Sequence, residues 1–108
     1  MNESRKPTDF EMAVYDAVRG IPAGKVASYG QVVAMISRGT ARSVGTALAK
    51  NPFAPEVPCH RVVRADGSLG GFYGETEGPR MIQKSDMLRG EGVPISAAGK
   101  VDPAAFIG

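Results

Sequence analysis

Thr8-Asp9-Phe10-Glu11 opens the first regular pattern in the chain: a hydroxyl that can cap a helix, followed three residues later by a carboxylate that can return the bond. Apolar residues then recur at Phe10, Val14, Ala17, Val18 and Ile21, the spacing of one helical face, until Pro22-Ala23-Gly24 stops it. Ser28-Tyr29-Gly30-Gln31 repeats the capping logic, and Val32, Val33 and Ile36 give a short second helix its buried side before Arg38-Gly39 ends it. Thr40 can cap a third helix at once, with Ala41, Val44, Ala47 and Leu48 inward and Arg42, Ser43, Thr46 and Lys50 outward. A longer helix followed by two short ones across a glycine turn is a helix-turn-helix pattern. The third helix is slim, built on Ala41, Ser43, Gly45, Thr46, Ala47 and Ala49. Such a helix can approach another backbone closely, and equally suits tight packing in a three-helix core.

Asn51-Pro52 breaks the third helix, because the residue before a proline is pushed out of the helical region. After a loop from Phe53 to Pro58, the runs Arg61-Val62-Val63-Arg64 and Ser68-Leu69-Gly70-Gly71-Phe72 flank Ala65-Asp66-Gly67, which predicts a two-stranded hairpin. Five glycines between Gly67 and Gly78 indicate a backbone that turns sharply or is closely approached, and Pro79 suits the first turn of a last helix reaching about Arg89. Met12, Met35, Met81 and Met87 read as core filler. The expected fold is mainly α, a winged helix-turn-helix domain with a small β hairpin as its wing. Residues 1–96 form this domain, and residues 97–108, with little periodicity, form a loosely packed tail.

Composition narrows the setting. With 108 residues the chain is one domain, able to hide roughly 60–70% of its unfolded surface. A single cysteine excludes an internal disulfide, and the N-terminal stretch lacks the apolar run of a secretory signal, which predicts a reducing cytoplasmic (in a eukaryote, nuclear) location. No apolar run approaches the roughly 18 residues of a spanning helix, so no membrane partner is expected. The net charge of +2 conceals an asymmetry: the segment from Arg19 to Arg64 carries +6, with Glu56 its only acid, and the remainder carries −4. That favours a polyanionic partner along the middle segment over a merely solvated surface.

The candidate chemistry lies in Pro58-Cys59-His60-Arg61-Val62-Val63, which holds the only cysteine and the only histidine side by side. A thiol beside a base is a nucleophile pattern. In an extended segment adjacent side chains point to opposite faces, so proton relay through a water is the natural arrangement. One Cys and one His fall short of a closed metal site, and no cofactor is expected.

These residues, taken with their neighbours, resemble the DNA-binding and active-site domain of O6-alkylguanine-DNA alkyltransferases and the alkyltransferase-like proteins. The resemblance runs from about Phe10 to Ile95. It is carried by Gly24-Lys25-Val26-Ala27-Ser28-Tyr29-Gly30, Ala41-Arg42-Ser43-Val44-Gly45-Thr46-Ala47-Leu48, Asn51-Pro52, the Pro58 to Val63 run, Gly67 to Phe72, Lys84, Leu88 and Glu91-Gly92, in that order. It implies that Cys59 accepts the alkyl group from O6 of a damaged guanine in duplex DNA, His60 acts as base through a water, and Glu91 orients His60. It implies that a lowered thiol pKa supplies the nucleophile, that Asn51 ties the helix end to the active-site turn, and that the protein is consumed. Tyr29 is implied to turn the phosphate and protonate the leaving guanine, and Arg42 to fill the vacated stack after the nucleotide is flipped. The third helix is expected in the minor groove, with Ser43, Thr46, Lys50 and Arg61 among the DNA contacts. Pro58, Val62, Phe72 and Tyr73 are expected to line the pocket of a monomeric protein.

Two departures from the family pattern bear on function. Complete alkyltransferases usually carry an N-terminal α/β domain with no counterpart in these residues, and the length matches the alkyltransferase-like proteins, which bind the lesion and hand it to nucleotide excision repair. Those proteins replace the acceptor cysteine, whereas Cys59 is present. Tyr73-Gly74-Glu75 stands where the family tends to have a glycine pair, followed by about five extra residues, and Glu75 there can narrow the pocket. A third reading, a winged-helix regulator with a redox-sensitive thiol, is disfavoured because a slim helix with one arginine offers few base-reading side chains.

Overall fold

In the computed structural model, which describes residues 6–71 and 78–108, α1 (Asp9–Arg19), α2 (Tyr29–Ile36) and α3 (Ala41–Ala49) each begin on a reciprocal capping box. Thr8 pairs with Glu11, Ser28 with Gln31, and Thr40 with Ser43, so each hydroxyl satisfies an orphan N–H while its partner side chain returns a bond to the cap. Caps of this kind contribute about 1 kcal/mol each.

The three helices close on one another through Val14, Tyr15, Val18, Ile21, Val32, Val44, Ala47 and Leu48, all buried. Tyr15 falls outside the apolar spacing read from the sequence, yet its ring lies edge-on to Phe53 at 5.7 Å and its hydroxyl donates to the Ala47 carbonyl at 2.7 Å. The turn between α2 and α3 uses left-handed conformations at Ser37 (φ 58°) and Gly39 (φ 84°). Arg38 lies over the Phe10 ring at 5.8 Å and donates to the Asp9 carbonyl, fixing the turn against the start of α1. Of the four methionines read as core filler, Met12, Met81 and Met87 pack against this cluster, whereas Met35 is 45% exposed.

The sheet differs from the expected hairpin. Strand β1 (Ala27–Ser28) pairs in parallel with β2 (Val62–Val63), Ala27 opposite Val62 and Ser28 opposite Val63. The turn at Ala65-Asp66-Gly67 does form, closed by Arg64 N–H to the Ser68 carbonyl and by Asp66 accepting from Ser68, but Ser68 then bridges to Lys100. The reason is burial: Val62 and Val63 are both inaccessible to solvent, the mark of a strand covered on both faces rather than an exposed wing. Phe72, the expected end of the second strand, lies outside the described residues.

The C-terminal segment is likewise not a loose tail. Val101 and Ala105 are buried in a second cluster with Val26, Val63, Leu88 and Val93. Val26 N–H donates to the Ala105 carbonyl, and Ile107 N–H donates to the Val26 carbonyl, so the segment flanks the residue preceding β1. Its apolar residues have no helical period because it is held by backbone bridges, Ile95 to Val101 and Val26 to Phe106. Helix α4 (Pro79–Gly90) starts on Pro79 as expected and ends with Glu91 at its C-terminal cap. Among the described residues no helix is long and apolar enough to cross a membrane.

Gly39 gives a direct check on the α2–α3 turn. A Cβ there would stand 2.5 Å from Phe10 Cε1 in a conformation that L side chains rarely adopt. Gly39→Ala is expected to lower stability by about 1–3 kcal/mol in urea denaturation, without a change in m.

Candidate functional site

The Pro58 to Val63 run is not extended throughout: Cys59–Arg61 forms a single 3₁₀ turn between buried Pro58 and β2. Successive side chains on such a turn are about 120° apart, so Cys59 and His60 still point to different faces, and both are buried. Asn51, just beyond α3, holds the approach to this turn. Its Nδ2 donates to the Val57 carbonyl and its Oδ1 accepts from Phe53 N–H, both at 2.9 Å.

On its other side the turn meets α4. Lys84, Leu88 and Glu91 are spaced i, i+4, i+7, which puts them on one helical face. Glu91 Oε2 lies 2.9 Å from His60 Nε2. Arg61 grips the same carboxylate, Nε donating to Oε1 at 2.9 Å and one terminal nitrogen to Oε2 at 2.8 Å, while the other terminal nitrogen donates to the Ile21 carbonyl at 2.7 Å. Lys84, fully buried, donates to the carbonyls of Val62 at 2.8 Å, Leu69 at 2.6 Å and Gly71 at 2.8 Å.

Arg61, expected at the DNA face, therefore points inward, with all three guanidinium nitrogens engaged. Val62, expected to line the pocket, is a core residue whose carbonyl serves Lys84. Lys84 appears in the sequence only as one family position. Its period with Glu91 is the signal that could have placed both on the face covering the cysteine turn.

The electrostatics of the site follow from burial. Desolvation raises the Cys59 thiol above its ordinary range, opposed by a side-chain hydrogen bond from Asn51 and by the charge of Lys84. The resting sulfur is thus a protonated thiol, contrary to the expectation of a lowered pKa. Desolvation lowers His60, although Glu91 pulls it the other way, so the imidazole rests neutral and able to accept a proton. Glu91 is held down, first by its hydrogen bonds from Arg61 and also by His60, and rests as a carboxylate. A carboxylate at Nε2 assigns the hydrogen to that nitrogen and leaves Nδ1 with its lone pair.

Tyr29 starts α2 beside this cluster. A Cβ on Gly70 would come within 2.9 Å of its hydroxyl, and one on Gly45 within 3.7 Å of its ring, so two glycines make the room it occupies. Burial raises its pKa, partly offset by a hydrogen bond with the Gly71 backbone, so the phenol keeps its proton. Arg42 and Thr46 on α3, and Lys50 at its C-terminal cap, are all exposed. Arg42 has no ion-pair partner among the described residues, whereas Lys50 meets Glu11 at 3.0 Å. The hydroxyls of Ser43 and Thr46 are engaged locally, Ser43 in the Thr40 cap and Thr46 to the Arg42 carbonyl. Phe72, Tyr73 and Glu75 lie outside the described residues. Among those that are described, no three metal-ligating side chains cluster.

A helix-turn-helix with a slim second helix, joined to a turn that carries a buried cysteine and a histidine paired with a carboxylate, defines a particular class of DNA-binding domain. The chain belongs to the family described as 6-O-methylguanine DNA methyltransferase, DNA binding domain, whose model matches residues 9–93. It is 43% identical over 86 residues to a methylated-DNA–protein-cysteine methyltransferase of Salmonella typhimurium, covering 79% of this chain and 47% of that protein. Its fold is similar to Mycobacterium tuberculosis OGT crystallised in complex with DNA (TM-score 0.72, 40% identity, 81% of this chain and 51% of that one). It is also similar to S. pombe Atl1 in complex with damaged DNA containing O6-carboxymethylguanine (TM-score 0.77, 29% identity, 95% and 99%). The chain thus spans about half the length of the curated relatives it matches and nearly all of Atl1.

Burial pushes Lys84 down to about 7, with Arg64 acting in the same direction and the Cys59 charge opposing. Its ordinary value in an unfolded chain is about 10.4, so between these values the unfolded state binds more protons and stability rises with pH. Lys84→Met is expected to remove this slope and to lower stability at pH 7 by about 1–3 kcal/mol, because three carbonyls lose their donor. Denaturant unfolding of both proteins from pH 6 to 10 provides the check.

Proposed function

We propose that this chain binds duplex DNA containing O6-alkylguanine, extrudes the damaged nucleotide and transfers its alkyl group to Cys59. The observation that carries this reading is the Cys59 turn itself: a buried thiol next to a neutral imidazole whose Nε2 is fixed by a carboxylate, in a family of DNA methyltransferase domains. The intact acceptor favours transfer over simple binding.

In this reaction Nδ1 of His60 takes the thiol proton through an intervening water, and the sulfur attacks the alkyl carbon. The S–C bond forms as the C–O6 bond breaks, and guanine leaves with a proton supplied by the Tyr29 hydroxyl. The proton lost by sulfur equals the one gained by the base, and Tyr29 recovers its own from His60 or solvent. The product is a thioether with no leaving group to regenerate it, so each molecule acts once. The exposure of Arg42 on α3, with no acid paired to it among the described residues, supports a role for it in filling the stack left by the flipped nucleotide. The basic middle segment supplies phosphate contacts, which makes binding fall with salt.

A second reading is lesion binding without transfer, followed by recruitment of nucleotide excision repair. It is supported by the near full-length correspondence with Atl1. The two readings share Arg42 and Tyr29 and divide at Cys59.

Fluorescence anisotropy with a labelled duplex containing one O6-methylguanine, beside its undamaged control, tests the binding half. Cys59→Ala is expected to keep the preference for the damaged duplex, and Arg42→Ala to weaken it by about 1–3 kcal/mol, the worth of a stacking contact. Equal affinity of the parent protein for both duplexes would sink the proposal.

A further inference from the structure

We infer that Arg61 is a positioning residue for the site: its guanidinium fork fixes the Glu91 carboxylate against His60 and ties the active-site turn to the end of α1. The geometry leaves the side chain no other task. Its two bonds to Glu91 form the parallel fork that arginine makes with a carboxylate, and the third holds the Ile21 carbonyl. Ile21 is buried in the helical core, so the fork joins that core to the C-terminal cap of α4 across the cysteine turn.

Sharing of Glu91 Oε2 by two donors has a chemical consequence. The oxygen that accepts from His60 Nε2 also accepts from Arg61 at 2.8 Å, so its negative charge is partly neutralised before the imidazole draws on it. A carboxylate alone would favour imidazolium more strongly and oppose the desolvation that keeps the ring neutral. With Arg61 in place it orients the ring and fixes its tautomer without holding a proton on it. The charged and titratable groups around the imidazole are Glu91 at the end of α4, Lys84 within α4, and Arg61 and Cys59 in its own turn. Loss of the guanidinium removes one positive charge and frees Glu91 for His60; both changes make the imidazole more basic.

The chain contains one histidine, which makes the test unambiguous. The His60 ring resonances are titrated by NMR in the parent protein and in Arg61→Met. The inference requires the midpoint to move upward in Arg61→Met, and coincident titrations would overturn it. Arg61→Gln, which can still donate to the Ile21 carbonyl but carries no charge, serves the same test if Arg61→Met does not fold. A second readout rests on the alkyl-transfer reading: single-turnover transfer from an O6-methylguanine duplex should fall about 10–100-fold at neutral pH and recover in part as pH rises. A loss equal at every pH would mean that the fork is only structural. A parent protein without transfer would overturn the alkyl-transfer reading while the NMR result still decides the role of Arg61. If Arg61→Met instead weakens binding to damaged and undamaged duplexes alike and lowers the salt slope by about 1, Arg61 is a phosphate contact and the inference fails.

Discussion

The buried amino group of Lys84 ties together three pieces of chain that also share an apolar cluster through Val63, Leu69 and Leu88. Val62 belongs to the strand after the cysteine turn, while Leu69 and Gly71 belong to the glycine-rich stretch beyond it; their carbonyls converge on one nitrogen from α4. An unpaired lysine in this position is costly, and three acceptors within hydrogen-bond distance offset that cost. Two turns later the same helical face delivers Glu91 to His60 and Arg61. Cys59 thus lies in a turn secured through Asn51 on the side of α3 and through α4 on the other, with His60 and Arg61 held on Glu91.

The helices were legible in the sequence because their determinants are local. Thr8, Ser28, Thr40 and Pro79 mark their starts, and the periodic positions Val14, Val18, Val44 and Leu48 are buried as their spacing indicates. The sheet and the C-terminal segment were not, because their determinants are pairings between distant residues. Val62 finds Ala27 and Phe106 finds Val26 through backbone bonds that leave no signature in composition or period. The Asp-Gly turn was correctly placed, but a turn alone does not decide which strand pairs with which.

The same division runs through the site. Cys59, His60, Glu91 and Asn51 were assembled from the resemblance, and the structure brings His60 to Glu91 at hydrogen-bond distance and Asn51 to the loop before the turn. Arg61 was misplaced because a sequence shows charge and not direction: an arginine amid basic residues reads as a phosphate contact, and only the fold reveals the carboxylate 30 residues away that claims it. The raised Cys59 pKa was hidden for a related reason, since burial rather than the neighbouring histidine sets it. A thiol kept protonated is protected from adventitious oxidation, and in the proposed function it is spent in one attack.

That single attack is the central claim, and intact and peptide mass spectrometry tests it most directly. The protein is mixed with an excess of duplex containing one O6-methylguanine. The account predicts a mass gain of one methyl group that plateaus at one per molecule and maps to the Cys59 peptide. No gain, a gain elsewhere, or demethylation of more than one lesion per molecule would contradict it.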